Sequence, residues 1–227
     1  MAAIKGIIFD VDGVLLDSMP VWHTVSWYML KDMGIEADPD IGDEMFAMRI
    51  GDAAEWLIQT FDLALTPEEI IDRIDRRIED AYRTTVLPKD GAGELLARLE
   101  SLGIPMVIGT STDRSCIEAA LARLDFGRYF RRIFTCTEVG KPKSEPDLFL
   151  AAMEELGTRP EETLLIEDGL YSVRTAKALG IRTVGVYDYT SRADQKALEE
   201  TADHYLPEGV SLNQIEGFLA LEGAGKR

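Results

Sequence analysis

The chain has 227 residues, 46% of them hydrophobic and 29% charged, a balance that excludes a disordered polymer and fits a globular protein. Acids outnumber bases 41 to 24, and the net charge of −17 excludes an overall basic footprint for nucleic acid or for an anionic membrane. The length suggests one large domain or two small ones, with enough buried surface to fold without a disulfide or structural metal.

Taken in order, the chain alternates strand and helix patterns. Short, apolar, β-branched runs followed by turn signals predict buried parallel strands at Ile4–Phe9, Pro105–Gly109, Arg132–Cys136, Thr163–Ile166 and Arg182–Val186, with a weaker one at His204–Leu206. Between them, Leu95, Leu96, Leu99 and Leu102 share one face of a helix over Gly91–Leu102 that stops at Gly103. A second helix, Leu170–Leu179, stops the same way at Gly180. This rhythm predicts an α/β fold, a doubly wound, Rossmann-like parallel sheet. The stretch from Leu16 to Thr85 breaks the rhythm, with no good strand and several helices. There Thr66-Pro67-Glu68-Glu69 is a capping box with proline at the first helical position, followed by an apolar stripe of Ile71, Ile74 and Ile78. The charges around that stripe read as a solvated face. The expected organisation is a core of residues 1–15 and 87–227 with a helical domain, 16–86, inserted after the first strand.

No run of 18 apolar residues occurs, so no membrane span is expected, and MAAIKGIIFDVDG lacks the apolar core and cleavage site of a signal peptide. Cys116 and Cys136 lack metal-like spacing, and the expected location is a reducing cytoplasm. The only histidines, His23 and His204, exclude a histidine-rich zinc site.

In open α/β sheets ligands gather at the carboxyl ends of the strands. Asp10-Val11-Asp12-Gly13 follows the first strand and Thr110-Ser111-Thr112-Asp113 the second. Lys141-Pro142-Lys143 lies before the fourth, and Glu167-Asp168-Gly169 follows it. Two unit charges 4 Å apart cost roughly 4 kcal/mol at an effective dielectric of 20, so four carboxylates in one mouth call for a hard cation. Mg²⁺ suits such a set with a substrate phosphate, and the hydroxyls, the lysine and a helix N-terminus near Thr112 or Asp113 suit the remaining phosphate oxygens. Acids, metal and anion donors together describe phosphoryl transfer.

FDVDGVLLDS, VIGTSTDR, KPKSEPDLF and LLIEDGLYSVRTAKALG, in that order, resemble the four motifs of the haloacid dehalogenase superfamily of phosphohydrolases. The helical insert resembles that superfamily's first type of cap, as in the β-phosphoglucomutase-like group. The resemblance implies that Asp10 is the nucleophile forming an aspartyl-phosphate and that Asp12 is the general acid and base. It implies that Thr110 and the amide of Ser111 bind the phosphoryl group and that Lys143 offsets its charge. It also implies a Mg²⁺ site of Asp10, Asp12 through its carbonyl, and Asp168, with Glu167 in or just behind it. Lys143 is preferred over Lys141 because the family spacing is lysine, two residues, then Pro-Asp, here Pro146-Asp147. Ser144 stands where the family usually has proline, and Gly169 where it often has serine.

The cap is expected to set specificity and to close over the substrate, excluding water. Met45–Asp52 is its candidate loop, with Arg49 for a second anion or a sugar hydroxyl, or else an ion pair to Asp52 or Glu55. Met45, Met48 and Trp22 are candidates for an apolar wall or for core packing. The β-phosphoglucomutases use a histidine in the first cap helix. That position here is Trp22, and His23 is one residue late, turned by about 100° on a helix. The expected activity is therefore a Mg²⁺-dependent phosphatase acting on a small phosphorylated metabolite, without nucleic-acid or membrane partners, as a monomer or small homo-oligomer. The alternatives are a phosphosugar mutase and, behind it, a non-catalytic phospho-aspartate switch.

Overall fold

The computed structural model describes residues 3–45, 48 and 50–224. The chain divides into two compact units, Met1–Asp17 with Leu87–Arg227, and Ser18–Val86.

The larger unit begins with β1 (Gly6–Phe9), whose Ile7, Ile8 and Phe9 are fully buried. A two-residue strand, β2 (Leu16–Asp17), pairs antiparallel with β3 (Leu87–Pro88), so the chain leaves this unit and returns to it through one small ladder. This corrects the expectation of no good strand from Leu16 to Thr85 at its first two residues: they carry too little pattern to be seen in sequence, and they extend because they pair. Then follow α5 (Ala92–Ser101), β4 (Met106–Thr110), α6 (Arg114–Leu124), β5 (Phe130–Thr135), α7 (Cys136–Val139) and α8 (Asp147–Leu156). The unit closes with β6 (Thr163–Glu167), α9 (Leu170–Leu179), β7 (Arg182–Val186), α10 (Gln195–Thr201), β8 (His204–Leu206) and α11 (Ile215–Ala224). The smaller unit holds α1 (Met19–Asp32), α2 (Ile41–Met45), α3 (Ile50–Phe61) and α4 (Pro67–Thr84).

Six strands form one parallel sheet in the order β5-β4-β1-β6-β7-β8, and the winding reverses about β1. The doubly wound expectation holds. The reversal places the carboxyl end of β1 between those of β4 and β6, where such sheets bind ligands. Ile8, Val107 and Leu165 on one sheet face pack with Leu148, Phe149, Ala152 and Met153 of α8 in a core of apolar side chains. The ends of β1, β4, β5 and β6 differ from expectation by a residue or two, while β7 and β8 match it. Cys136, expected to end a strand, instead begins α7, because Thr135 caps that helix by accepting from the Glu138 amide. Helices α5 and α9 stop at Gly103 and Gly180, both at positive φ.

In the smaller unit, Thr66 Oγ1 accepts from the Glu69 amide while the Glu69 carboxylate accepts from the Thr66 amide, the capping box expected for α4. The buried face of α4 is Ile70, Ile74, Ile78 and Tyr82. Ile70, not Ile71, heads the stripe, since a step of four keeps the side chains on one side and Ile71 turns away. The expected loop Met45–Asp52 is also corrected: Met45 ends α2, and Ile50, Gly51 and Asp52 belong to α3. Arg49 lies outside the described residues. Trp22 donates its indole N–H to the Tyr82 hydroxyl at 2.9 Å, and with Met19, Met45, Met48 and Ile50 it lines a cavity of about 290 Å³. No helix among the described residues is long and apolar enough to cross a membrane.

Candidate active site

Asp10 follows β1 directly, and its amide donates to the Ile166 carbonyl at 2.9 Å, so it continues the ladder with β6. The chain then turns tightly: the amides of Leu15 and Leu16 both donate to the Val11 carbonyl at 2.8 Å. Gly13 sits at φ +77, and a methyl there would lie 2.6 Å from Asp168 Oδ2. Glycine is thus required twice, for the turn and for the approach of Asp168. Asp168 follows β6, whose last residue is Glu167.

Asp10, Glu167 and Asp168 are buried and offer ligand oxygens within 4.8 Å of one another, and they are the one such acidic group among the described residues. Lys143 joins them from the loop before α8. Its Nζ lies 2.6 Å from Asp10 Oδ1 and 2.8 Å from Glu167 Oε2, with the side chain 1% exposed. Lys141 is exposed. Glu167 is the most heavily bonded of the acids: Ser172 Oγ donates to Oε2 at 2.7 Å and the Gly169 amide to Oε1 at 3.1 Å.

These contacts separate the acids electrostatically. Burial, and then the charge of Glu167, raise the Asp10 carboxyl well above its ordinary value despite Lys143. Burial, Glu167, Asp10 and Asp188 do the same to Asp168. Burial also works to raise Glu167, but the Lys143 ammonium and the hydrogen bonds from Lys143 and Ser172 hold it below the usual carboxylate range. Burial opposes the charge on Lys143, yet Asp10 and Glu167 outweigh it and raise its pKa, so it stays an ammonium. Two buried carboxyls whose pKa values are pushed up by burial and by neighbouring carboxylates make a site that a hard divalent ion would relieve. All the donors are oxygens, as Mg²⁺ requires.

The Asp12 side chain stands outside that group. Its Oδ2 accepts from Thr112 Oγ1 at 2.7 Å. Thr110 is fully buried at the end of β4, and its Oγ1 accepts from the Thr112 amide at 3.1 Å. Ser111 is exposed, with Oγ 3.5 Å from Cys136 Sγ. Just beyond, the 11-residue helix α6 starts with no acid in its first turn, which leaves its N-terminal amides favourable to an anion. Trp22 belongs to the smaller unit and spends its one donor there on Tyr82. Sequence reasoning missed Ser172, which bonds Glu167, and it placed Thr112 among the strand-end hydroxyls without pairing it to Asp12. Both are ordinary hydroxyls whose role appears only when two strand ends are set side by side.

Residues 7–186 match the family described as haloacid dehalogenase-like hydrolase. The chain belongs to that family. This hydrolase is 26% identical over 197 residues to a phosphorylated carbohydrates phosphatase of Thermotoga maritima, covering 86% of this chain and 90% of that one. It is 28% identical over 200 residues to an N-acetylmuramic acid 6-phosphate phosphatase of Pseudomonas aeruginosa, covering 86% and 87%. Its fold is also that of the β-phosphoglucomutase of Clostridium difficile, with a TM-score of 0.66 over 97% of this chain and 98% of that one at 20% identity. This hydrolase is an enzyme of the phosphoric monoester hydrolase class, the class of its phosphatase relatives.

Proposed function

We propose that the chain is a Mg²⁺-dependent phosphatase that hydrolyses a small phosphate monoester, a sugar phosphate or similar metabolite, through an aspartyl-phosphate on Asp10. The observation that carries this reading is Lys143 bridging Asp10 and Glu167 beside Asp168, with Asp12 two residues along and held by Thr112. Asp10, Asp168 and the carbonyl of Asp12 would hold the cation, which supplies charge neutralisation for the phosphoryl oxygens and for Asp10. Glu167, occupied by three donors, orients Lys143.

In the first step Asp10 attacks phosphorus, the ester P–O bond breaks, and Asp12 gives its proton to the leaving oxygen. In the second step Asp12 takes a proton from water as that water attacks the phosphorus of the acyl phosphate, releasing inorganic phosphate and restoring Asp10. Lys143, Thr110 and the Ser111 amide stabilise the equatorial oxygens. The sugar-phosphate class rests on the substrates named for the two phosphatase relatives. Trp22 and Arg49 are proposed as substrate contacts from the smaller unit. The mutase reading is disfavoured by Trp22 standing at the histidine position of the first cap helix, with His23 one residue late and its Nδ1 3.4 Å from Asp43 Oδ1 in its own unit.

The test is phosphate release from an aryl phosphate and a panel of sugar phosphates, with and without Mg²⁺, beside Asp10→Asn. Metal-dependent release that disappears in the variant is expected. Release by a folded Asp10→Asn protein refutes the nucleophile, and isomerised sugar phosphate without net release makes the protein a mutase.

A further inference from the structure

A second lysine–carboxylate pair lies behind the acidic cluster, and the chemistry above does not use it. Asp188, just beyond β7, is 3% exposed, and its carboxylate is fully engaged. Lys89 Nζ lies 2.8 Å from Oδ2, while the Thr190 amide and Thr190 Oγ1 donate to Oδ1 at 3.0 and 2.7 Å. Lys89 is itself fixed, because its amide donates to the Leu15 carbonyl at 2.9 Å and its Nζ also reaches the Tyr187 carbonyl. Lys89 therefore ties the turn after β1, which carries Asp12 and Gly13, to the end of β7.

The pair is also electrostatically close to the cluster. The methyl that Gly13 lacks would lie 2.6 Å from Asp168 Oδ2 and 3.4 Å from Asp188 Cγ, so both carboxyls crowd the same turn. Asp188 is one of the charges that Asp168 feels. The tie between the turn and β7 is made here at an electrostatic cost. An extra carboxylate beside three others costs repulsion, and an extra ammonium beside a cation site costs attraction.

We infer that Lys89 and Asp188 are positioning residues that set the affinity of the Asp10–Asp168 centre for a divalent cation. Asp188 adds negative potential behind Asp168, and Lys89 trims it while holding the Asp12–Gly13 turn in place. The inference rests on the cation site of the proposed phosphatase. A charge-setting pair has a signature that a merely structural pair lacks: removing its two members moves cation affinity in opposite directions.

The experiment is calorimetric titration of the metal-stripped full chain with Mg²⁺, at fixed pH and ionic strength, for the wild type, Asp188→Asn, Lys89→Met and Lys89→Arg. Asp188→Asn deletes a negative charge and leaves Lys89 unopposed, so binding is expected to weaken by roughly 10-fold or more, the usual scale for groups behind a metal ligand. Lys89→Met is expected to tighten binding, and Lys89→Arg, which keeps the charge, to stay near wild type. Weakening in both Asp188→Asn and Lys89→Met, or no change in either, overturns the inference. If Asp188→Asn does not fold, Lys89→Met and Lys89→Arg decide alone, since the Lys89 side chain is 22% exposed against 5% for Asp188. A wild type that binds no Mg²⁺ refutes the proposed phosphatase site itself, a result distinct from Mg²⁺ binding that ignores both variants.

Discussion

Lys143 carries more of the site than any other single side chain. Among the described residues it is the only ammonium against two buried carboxylates, Asp10 and Glu167, at 2.6 and 2.8 Å. Removing one member of a buried ion pair leaves the other charge without compensation, at a cost of about 3–5 kcal/mol. Lys143→Met should therefore destabilise the metal-free protein by about 3 kcal/mol in denaturant unfolding. Its effect should grow with pH, because the Asp10 carboxyl is raised by burial and needs the Lys143 partner only once it has ionised. Turnover should fall by about 10²–10³-fold, the usual loss for one preorganised donor to developing charge. A variant as stable as wild type at pH 8 would show that the two carboxylates are not held charged by Lys143.

The same site can be perturbed through elements without touching a charged group. Gly13→Ala adds one methyl at φ +77, aimed at Asp168 Oδ2. The strained backbone and the displaced carboxylate should lower both stability and kcat, and raising Mg²⁺ should not restore kcat fully. Thr66→Ala is the contrasting case. It deletes the cap of α4 in the smaller unit and should cost about 1 kcal/mol. Its effect should appear as lower thermal stability, with kcat towards an aryl phosphate within about twofold of wild type, because no core donor is removed. The capping box was legible in sequence because it is a four-residue pattern. Strands β7 and β8 were legible to the residue, while the pair Leu16–Asp17 and Leu87–Pro88 was not, since its only cause is a partner 70 residues away. The strand-end pattern also gathered Asp10, Asp12, Thr110, Lys143, Glu167 and Asp168, and the family resemblance chose them from their neighbours, Lys143 over Lys141 among them. It did not name Asp188 or Lys89, which are 99 residues apart. Yet Asp188 follows β7 as Asp168 follows β6, so the same strand-end argument taken one strand further reaches it. Lys89 offered no such signal, because its role depends on where β3 returns.

At the scale of the whole molecule, proton and cation compete for one centre. Asp10 and Asp168 have raised carboxyl pKa values in the folded, metal-free protein. Their contribution to stability is fully present below the ordinary carboxylate range and is lost as pH rises through the raised folded values. A bound cation takes the place of those protons, so its stabilising effect runs the other way, small in acid and larger at pH 8. At a Mg²⁺ concentration 100 times its Kd the gain is about 2.7 kcal/mol. The net charge of −17 adds a second, unspecific effect, because any salt screens self-repulsion. Thermal unfolding in MgCl₂ and in NaCl of matched ionic strength, at pH 5 and pH 8, separates the two. The excess stabilisation by Mg²⁺ over Na⁺ should be larger at pH 8 and should vanish in Asp168→Asn, which keeps the screening response. An excess that is equal at both pH values, or that survives in Asp168→Asn, would place the ion elsewhere on the acidic surface.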